Sequence, residues 1–365
     1  MLTTPAELCR PAGVPATPIE AARSATPAVH DLRWITRETC PPGWWVELER
    51  CGGGFFHTPA GLGAGAPSGE PVFAQLRHGD EIIGVAAGVR SGCRFGRRPR
   101  HLYFPTVPAL ICLPRRHEAL SALVEALRAD GAAEVGIDSF DARWQPDVGT
   151  GASAESRDRV EYVVPLEPDA DDLMRRCNKH HRRHLQHGIR QAWTFQTLDG
   201  PEARRVLATV QHAAASRAEE RGDPFQVMLP PAAGAAQDGG AHWGVTTFSV
   251  WENGTPLAAA LVGWAKQRAY YLVGGSTPSG YASHATVWLH WRIMAYLADE
   301  GFTAYNLGGT PASARSTDDP QHGLYRFKSG FGAELVSCRS VRWALRRAHV
   351  ATHRVARWIA TRLHR

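Results

Sequence analysis

The chain has 365 residues, room for two domains of ordinary size, and its make-up is globular at 44% hydrophobic and 21% charged. No apolar run approaches the roughly 20 residues that a membrane-crossing helix needs, so a helical membrane channel or carrier is excluded. The net charge of +6 is unevenly spread: residues 175–190 hold five Arg and one Lys, residues 339–365 hold eight Arg, and neither segment has an acid. A polyanion would therefore be met at particular places. The seven cysteines are odd in number and contain no C-x-x-C pair, which suits reduced thiols in a cytoplasmic protein.

The first 28 residues are rich in Ala, Pro and Thr and lack a basic start followed by an apolar core. They predict a disordered leader and not a signal peptide. Residues 29–155 then predict a first domain. An apolar hairpin runs through Val72–Leu76 and Ile82–Val89 around the turn His78-Gly79-Asp80-Glu81, and an extended piece follows at His101–Pro105. Leu120, Leu123, Val124 and Leu127 share one helical face, the helix stops at Gly131, and a strand follows at Glu134–Asp138.

Residues 156–340 predict a second domain, opening with a basic helix over Met174–Arg190 behind Asp171-Asp172. Leu173, Cys177, Leu185 and Ile189 form its inward stripe, and Arg176, Arg183 and Arg190 recur every seven residues on another. With Lys179 and Arg182 they form either a phosphate-binding ridge or a solvated charged face. His180, His184 and His187 have metal-ligand spacing, but the surrounding cations would repel a metal, so no metal site is expected. Arg217 and Arg221 lie one turn apart on the following helix, where ion pairs with Glu219 and Glu220 compete with phosphate binding.

The plan of the first domain then recurs. Thr246–Trp251 and Leu257–Val262 flank Asn253-Gly254, a strong hairpin signal. A strand at Ala269–Val273 precedes a helix carrying Val287, Trp288, Trp291, Ile293 and Met294, which stops at Gly301 before a strand at Ala304–Leu307. Hairpin turn and helix stop are 52 residues apart in the first copy and 47 in the second. Gly274-Gly275 and Gly308-Gly309 end two of these strands. Such pairs either let a ligand reach bare backbone or simply make turns. Residues 323–332 read Gly-Leu-Tyr-Arg-Phe-Lys-Ser-Gly-Phe-Gly and set Lys328 among aromatic side chains, where an ammonium can meet a developing negative charge. Residues 341–365 predict a basic amphipathic helix with Val341, Leu345, Ala348, Val355, Ile359 and Leu363 on or near one face. It could grip a polyanion, pack on the protein, or lie on anionic lipid.

Tyr305-Asn306-Leu307-Gly308-Gly309 and the Phe327-Lys328 run together resemble the end of the acyltransferase domain in Fem-type transferases. These are duplicated relatives of the GCN5-like N-acetyltransferases (GNATs) that attach amino acids, usually from aminoacyl-tRNA, to an amine. The resemblance implies an α/β fold of two tandem GNAT-like domains, each a mixed, mostly antiparallel sheet flanked by helices, in the compact form without a helical arm. It implies an aminoacyltransferase of cytoplasmic location, with Lys328 and Phe327 in the transfer site and Tyr325, Tyr305 or His290 able to relay a proton. Tyr305, Asn306 and the two Gly pairs would line the donor site. Arg176, Lys179, Arg182, Arg183, Arg190, Arg217 and Arg221 would meet tRNA or another phosphate. No cofactor is then needed: the donor is aminoacyl-tRNA and the acceptor a small amine, a peptide-like metabolite or a cell-wall precursor. A monomer is expected, with peripheral membrane contact open to the C-terminal helix. Two other readings stand beside this one, an acyl-CoA N-acyltransferase and a non-enzymatic RNA- or membrane-bound scaffold. Against the first, residues 278–286 lack the Gln/Arg-x-x-Gly-x-Gly/Ala loop that cradles the CoA pyrophosphate.

Overall fold

The computed structural model describes residues 32–65, 69–91, 100–147, 154–167, 169–220, 227 and 242–346. The expected leader, Arg221 and most of the expected C-terminal helix lie outside the described residues. The first half runs β1 (Leu32–Arg37), α1 (Trp44–Arg50), α2 (Pro59–Gly65), β2 (Glu70–His78), β3 (Glu81–Ser91), β4 (Arg100–Phe104), β5 (Ala109–Leu110), α3 (Arg116–Ala129) and β6 (Ala132–Asp138). The second begins with β7 (Ala154–Pro165), α4 (Ala170–Arg176), α5 (Lys179–Ile189), β8 (Thr194–Leu198), α6 (Gly200–Glu220), β9 (Trp243–Glu252) and β10 (Thr255–Ala265). It closes with β11 (Arg268–Ser276), α7 (Pro278–Ala282), α8 (Ala285–Asp299), β12 (Ala304–Pro311), α9 (His322–Ser329) and β13 (Glu334–Ala344).

The expected repeat is present, and its punctuation has the backbone reason the residues suggest. Gly131 and Gly301, which stop α3 and α8, have φ of 89° and 81°. Asn253 and Gly254 both take positive φ, as a two-residue hairpin turn of matching twist requires. In the first half Leu120, Leu123, Val124 and Leu127 of α3 pack on the sheet, and α1 and α2 cover part of its other face through Trp44, Leu48 and Leu62. In the second half Leu289, Ile293 and Met294 of α8 fill one face, and Val206, Leu207 and Val210 of α6 the other.

Both halves share one sheet, in the order β1-β2-β3-β4-β6-β13-β7-β12-β11-β10-β9-β8, with β5 attached to β3. The two central strands are exchanged. β7, which follows the first copy, pairs with β12 of the second, while β13, which ends the second copy, pairs with β6 of the first. β7 and β13 then pair with each other over ten residues, Val163↔Glu334 to Ala154↔Trp343. The exchange makes the seam between the halves a continuous ladder of backbone hydrogen bonds.

Two expectations are corrected. The C-terminal helix does not begin at Val341: residues 341–344 end β13, with Val341 and Trp343 buried opposite Ile137 and Val135. Here alternation of apolar and charged residues, period two, wins over the helical pattern. The basic helix is also two helices. Cys177 is extended, and the Asn178 side chain accepts from the His181 amide and starts α5. The inward stripe therefore ends at Leu185, and Ile189 is 51% exposed. Among the described residues no helix is long and apolar enough to cross a membrane.

Candidate active site

The site forms where the parallel pair β11 and β12 comes apart. The two strands pair only from Arg268↔Ala304 to Tyr270↔Asn306. Beyond that, β11 stays with β10 and β12 continues on β7 across an irregularity between Asn306 and Gly309. In the first half, β4 pairs with β6 along its whole length, so the opening belongs to the second half. Gly308 sits in the opening at φ 75°, a left-handed conformation natural to glycine. Its amide donates to the Asn306 side-chain oxygen at 2.8 Å, and the Asn306 amide nitrogen donates to Glu161 at 3.0 Å.

Lys328 reaches this opening from α9. The residues that carry it form a helix whose inner side holds Lys328 at only 5% exposure. Its Nζ donates to the Gly309 carbonyl at 3.2 Å, lies 5.7 Å from the Tyr162 ring centre, and would stand 3.5 Å from a Cβ on Gly308. Burial and the neighbouring Arg159 push its pKa down to about 7, against the pull of Glu161. Burial in turn raises the Glu161 carboxyl to about 7, although the Asp141 amide and Asn306 donate to it. Phe327 is half-buried, and its carbonyl oxygen lies 2.9 Å from His181 Nε2. Tyr325 stands edge-on to Tyr162 at 6.2 Å.

Behind the lysine lies a buried aromatic shell. His290 Nδ1 is 3.1 Å from the Tyr305 hydroxyl, and the imidazole packs on Tyr271, Phe327 and Phe331. Burial, then Lys328, push its pKa down to about 3, so it is neutral at physiological pH. Tyr305 is fully buried and lines the core behind the site. Gly274 and Gly275 serve the packing of the protein itself. A Cβ on Gly275 would lie 2.5 Å from the Val210 carbonyl oxygen of α6, and one on Gly274 2.5 Å from the Ala259 carbonyl oxygen of β10. These two glycines let protein backbones meet.

Residues 248–338 match the FemAB family. The matched segment, about a quarter of the chain, is similar to the Fem family in sequence. The matched segment runs from β9 into β13 and contains Gly308, Gly309, Phe327 and Lys328. The crystal structure of FemX aligns over 84% of this chain and 96% of its own, with 14% identity and a TM-score of 0.60. L-PGS from Bacillus licheniformis aligns over 90% and 98%, with 13% identity and a TM-score of 0.52. A conserved protein of unknown function from Bacteroides thetaiotaomicron VPI-5482 aligns over 80% and 91%, with 10% identity and a TM-score of 0.50. At these identities the likeness is one of fold. No curated protein matches the chain in sequence.

The basic residues of the second half divide into two groups. Arg176 donates to the Pro165 carbonyl at 3.0 Å, and Arg182 donates to the Cys177 and Arg175 carbonyls at 2.6 and 3.1 Å, so both tie down the α4–α5 junction. Lys179, Arg183 and Arg190 are exposed on α5. Arg217 does not pair with Glu219 or Glu220. It donates to the Ser276 carbonyl at 2.8 Å and lies 4.9 Å from the Tyr281 ring, beside the end of β11. The expected histidine cluster is partly rearranged. His184 packs 3.6 Å from His284 at the start of α8, and its Nε2 is 3.0 Å from that of His180. Among the described residues no group of three or more His, Cys, Asp or Glu side chains is placed to hold a metal.

Several residues of the site are missed by sequence reasoning. Asp141, beyond β6, donates its amide to Glu161 at 3.0 Å and accepts from Arg268 Nε at 3.0 Å and from the Tyr270 hydroxyl. It stitches the first half to β11. Arg159, Glu161 and Tyr162 come from β7, which carries no motif. Arg159 also borders a cleft of about 690 Å³ on the open face of β4, β6, β13 and β7.

Proposed function

We propose that the protein transfers an amino acid from aminoacyl-tRNA to an amine, forming an amide bond. The observation that carries this is Lys328: an almost fully buried lysine in a segment similar to the Fem family, held at the Gly309 carbonyl where β11 and β12 separate. An aminoacyl ester is already activated, so the protein has mainly to position it and stabilise charge. The acceptor nitrogen attacks the ester carbonyl carbon, and the Lys328 ammonium stabilises the oxyanion or the leaving 3′-oxygen. The new C–N bond is then complete, the C–O bond to the tRNA breaks, and the proton lost by the amine ends on the leaving oxygen, through solvent or a relay. Gly308 and Gly309 would face the ester, with Tyr325 and Phe327 beside it. Exposed Lys179, Arg183 and Arg190 on α5 would meet the tRNA backbone.

An acyl-CoA donor is the second reading, favoured by the GNAT-like halves. Against it, α8 begins at His284, whose φ is 58° and whose ring packs on His184, in place of a glycine-rich cradle. Binding of the full chain to bulk charged tRNA and to acetyl-CoA, side by side at two salt concentrations, tests both. Salt-sensitive micromolar tRNA binding without CoA binding is expected. CoA binding without tRNA binding overturns the proposal in favour of the second reading.

A further inference from the structure

The opening at Lys328 is closed at one end by a short pairing, and a residue of the first half holds both strands there. β11 and β12 pair through Arg268↔Ala304, Ala269↔Tyr305 and Tyr270↔Asn306 and then separate. Arg268 and Tyr270 point to one face of β11, while Ala269 between them packs into the core under α8. Asp141, just beyond the end of β6, meets that face. Its carboxylate accepts from Arg268 Nε at 3.0 Å, from Arg268 Nη2, and from the Tyr270 hydroxyl.

The backbone of the same residue takes hold of β12. The Asp141 amide donates to both oxygens of Glu161 at 3.0 and 3.2 Å, Glu161 accepts from the Asn306 side chain at 3.0 Å, and Asn306 accepts from the Gly308 amide at 2.8 Å. Tyr270 and Asn306 form the last rung before the strands part. Asp141 thus spans that rung, directly to its β11 member and through Glu161 to its β12 member. Phe140, the residue before it, backs onto the same loop: a Cβ on Gly309 would lie 3.0 Å from Phe140 Cε1. Glu161, Tyr270 and Asn306 are almost fully buried, so water does not replace a lost partner. Asp141 itself has φ of 50°, a left-handed conformation that costs a non-glycine residue and persists where the surroundings over-determine it. It lies outside residues 248–338, so this constraint on the opening comes from beyond the segment similar to the Fem family.

We infer that Asp141 is a positioning residue: it fixes how far β11 and β12 separate, and so where Gly308 and Gly309 stand relative to Lys328. The inference rests on the transfer reading for its bearing on the reaction, and on the hydrogen bonds alone for its hold on the opening. A residue that merely joined the halves would matter equally along the whole seam. Asp141 acts at one rung of it.

The test is hydrogen exchange and lysine labelling of the full chain, with no tRNA present. Asp141→Gly relieves the backbone and removes the bonds to β11. Amides of residues 306–310 should then exchange at least about tenfold faster, while those of residues 340–344, on the seam ladder between β6 and β7, keep wild-type rates. The chain has three lysines, Lys179, Lys266 and Lys328, so trace acetic anhydride reads Lys328 against exposed Lys179. The ratio of Lys328 to Lys179 labelling should rise at least about tenfold in Asp141→Gly. Asp141→Asn keeps an acceptor oxygen and tolerates the left-handed φ, so it should lie nearer wild type on both readouts. Tyr270→Phe removes only the hydroxyl and keeps the ring packed on Phe55 and Phe56. It should speed exchange at 306–310 in the same direction, which keeps the test open if Asp141→Gly does not fold. Equal acceleration in both segments makes Asp141 a plain link between the halves and overturns the assignment. Wild-type exchange at 306–310 in the variants, or an unmoved Lys328 ratio, overturns it too. The two readings fail separately. A chain that binds no charged tRNA but shows the expected pattern loses the transfer reading and keeps the role of Asp141 in the opening. Salt-sensitive binding of charged tRNA with unmoved exchange removes the role of Asp141 alone.

Discussion

Asn306 and Glu161 hold each other across the exchanged strands: the Asn306 side-chain nitrogen donates to the Glu161 carboxylate at 3.0 Å, and both side chains are almost fully buried. Asn306 belongs to β12 of the second copy, and Glu161 to β7, which follows the first. The other end of the same carboxamide accepts from the Gly308 amide. One side chain thus joins the seam between the halves to the loop facing Lys328. Asn306→Ala leaves a buried carboxylate short of a donor and a glycine amide without its acceptor. The expected cost is about 1–3 kcal/mol of stability, read by denaturant unfolding, with a fall in turnover beyond what partial unfolding explains. Wild-type turnover in a folded Asn306→Ala chain would mean that the loop geometry does not depend on this bond.

Lys328→Ala should lower turnover by about 10²–10³-fold, the range seen when a preorganised donor to an oxyanion is lost. Stability should move the other way. Burial lowers the Lys328 pKa from 10.5 to about 7 in the folded chain, so between those values the unfolded chain binds the extra proton. Wild-type stability from this group therefore rises with pH from about 7 towards 10.5. A Lys328→Met chain should gain most over wild type below about pH 7, and that gain should shrink above it. A thermal-melt series over pH reads the trend, and a constant difference would contradict it.

The same pKa sets the direction of the rate profile. If Lys328 acts as an ammonium, kcat/KM should fall as pH rises through about 7. A rise through that pH would instead make the neutral amine the active form, a base taking the acceptor's proton. Glu161 gives a separate stability signal. Burial raises its pKa from 4.5 to about 7, so the folded chain binds the extra proton between those values and stability falls as pH climbs through that window. Glu161→Gln should flatten that fall, a change visible in melts where no substrate is present.

Much of this fold is legible in the residues because its signals are local. Asn253-Gly254 names a hairpin, and Gly131 and Gly301 name helix ends, each by a backbone conformation that few other residues adopt. The strand exchange is not legible. Alternation in β7 and β13 tells which face is buried and nothing about which strand lies alongside, and Glu161 meets Asn306 from 145 residues away. The site divides the same way. Lys328 and Gly308 announce themselves through composition, whereas Arg159, Glu161 and Asp141 are single polar residues in unremarkable surroundings. Gly274-Gly275 shows why such pairs stay ambiguous in a sequence: close packing of α6 and close approach of a ligand require the same residue.

Gly308→Ala tests the loop itself. At φ 75° an alanine is strained by about 1–2 kcal/mol, and its Cβ would stand 3.5 Å from Lys328 Nζ. A modest stability loss with a larger loss of turnover is expected. The control is Gly254→Ala: that glycine also has positive φ, at 76°, but lies on the β9–β10 turn with nothing near its Cβ. Equal turnover losses in both would reduce Gly308 to a turn residue.

Residues 347–365 carry five Arg and no acid, and the corrected end of β13 says where to cut. Truncation at Val341 would remove Val341 and Trp343 from beside β6 and unfold the seam, confounding any binding result. Truncation after Arg346 keeps the whole of β13. The expected outcome is an unchanged melting temperature with weaker tRNA binding and a shallower dependence of log Kd on log salt. Each lost phosphate contact should flatten that slope by about 0.7–0.9. An unchanged slope would assign tRNA contact to α5 alone, where Lys179, Arg183 and Arg190 are exposed. Substituting those three residues together should then remove what slope remains, and a slope that survives both changes would mean that neither basic segment meets the tRNA.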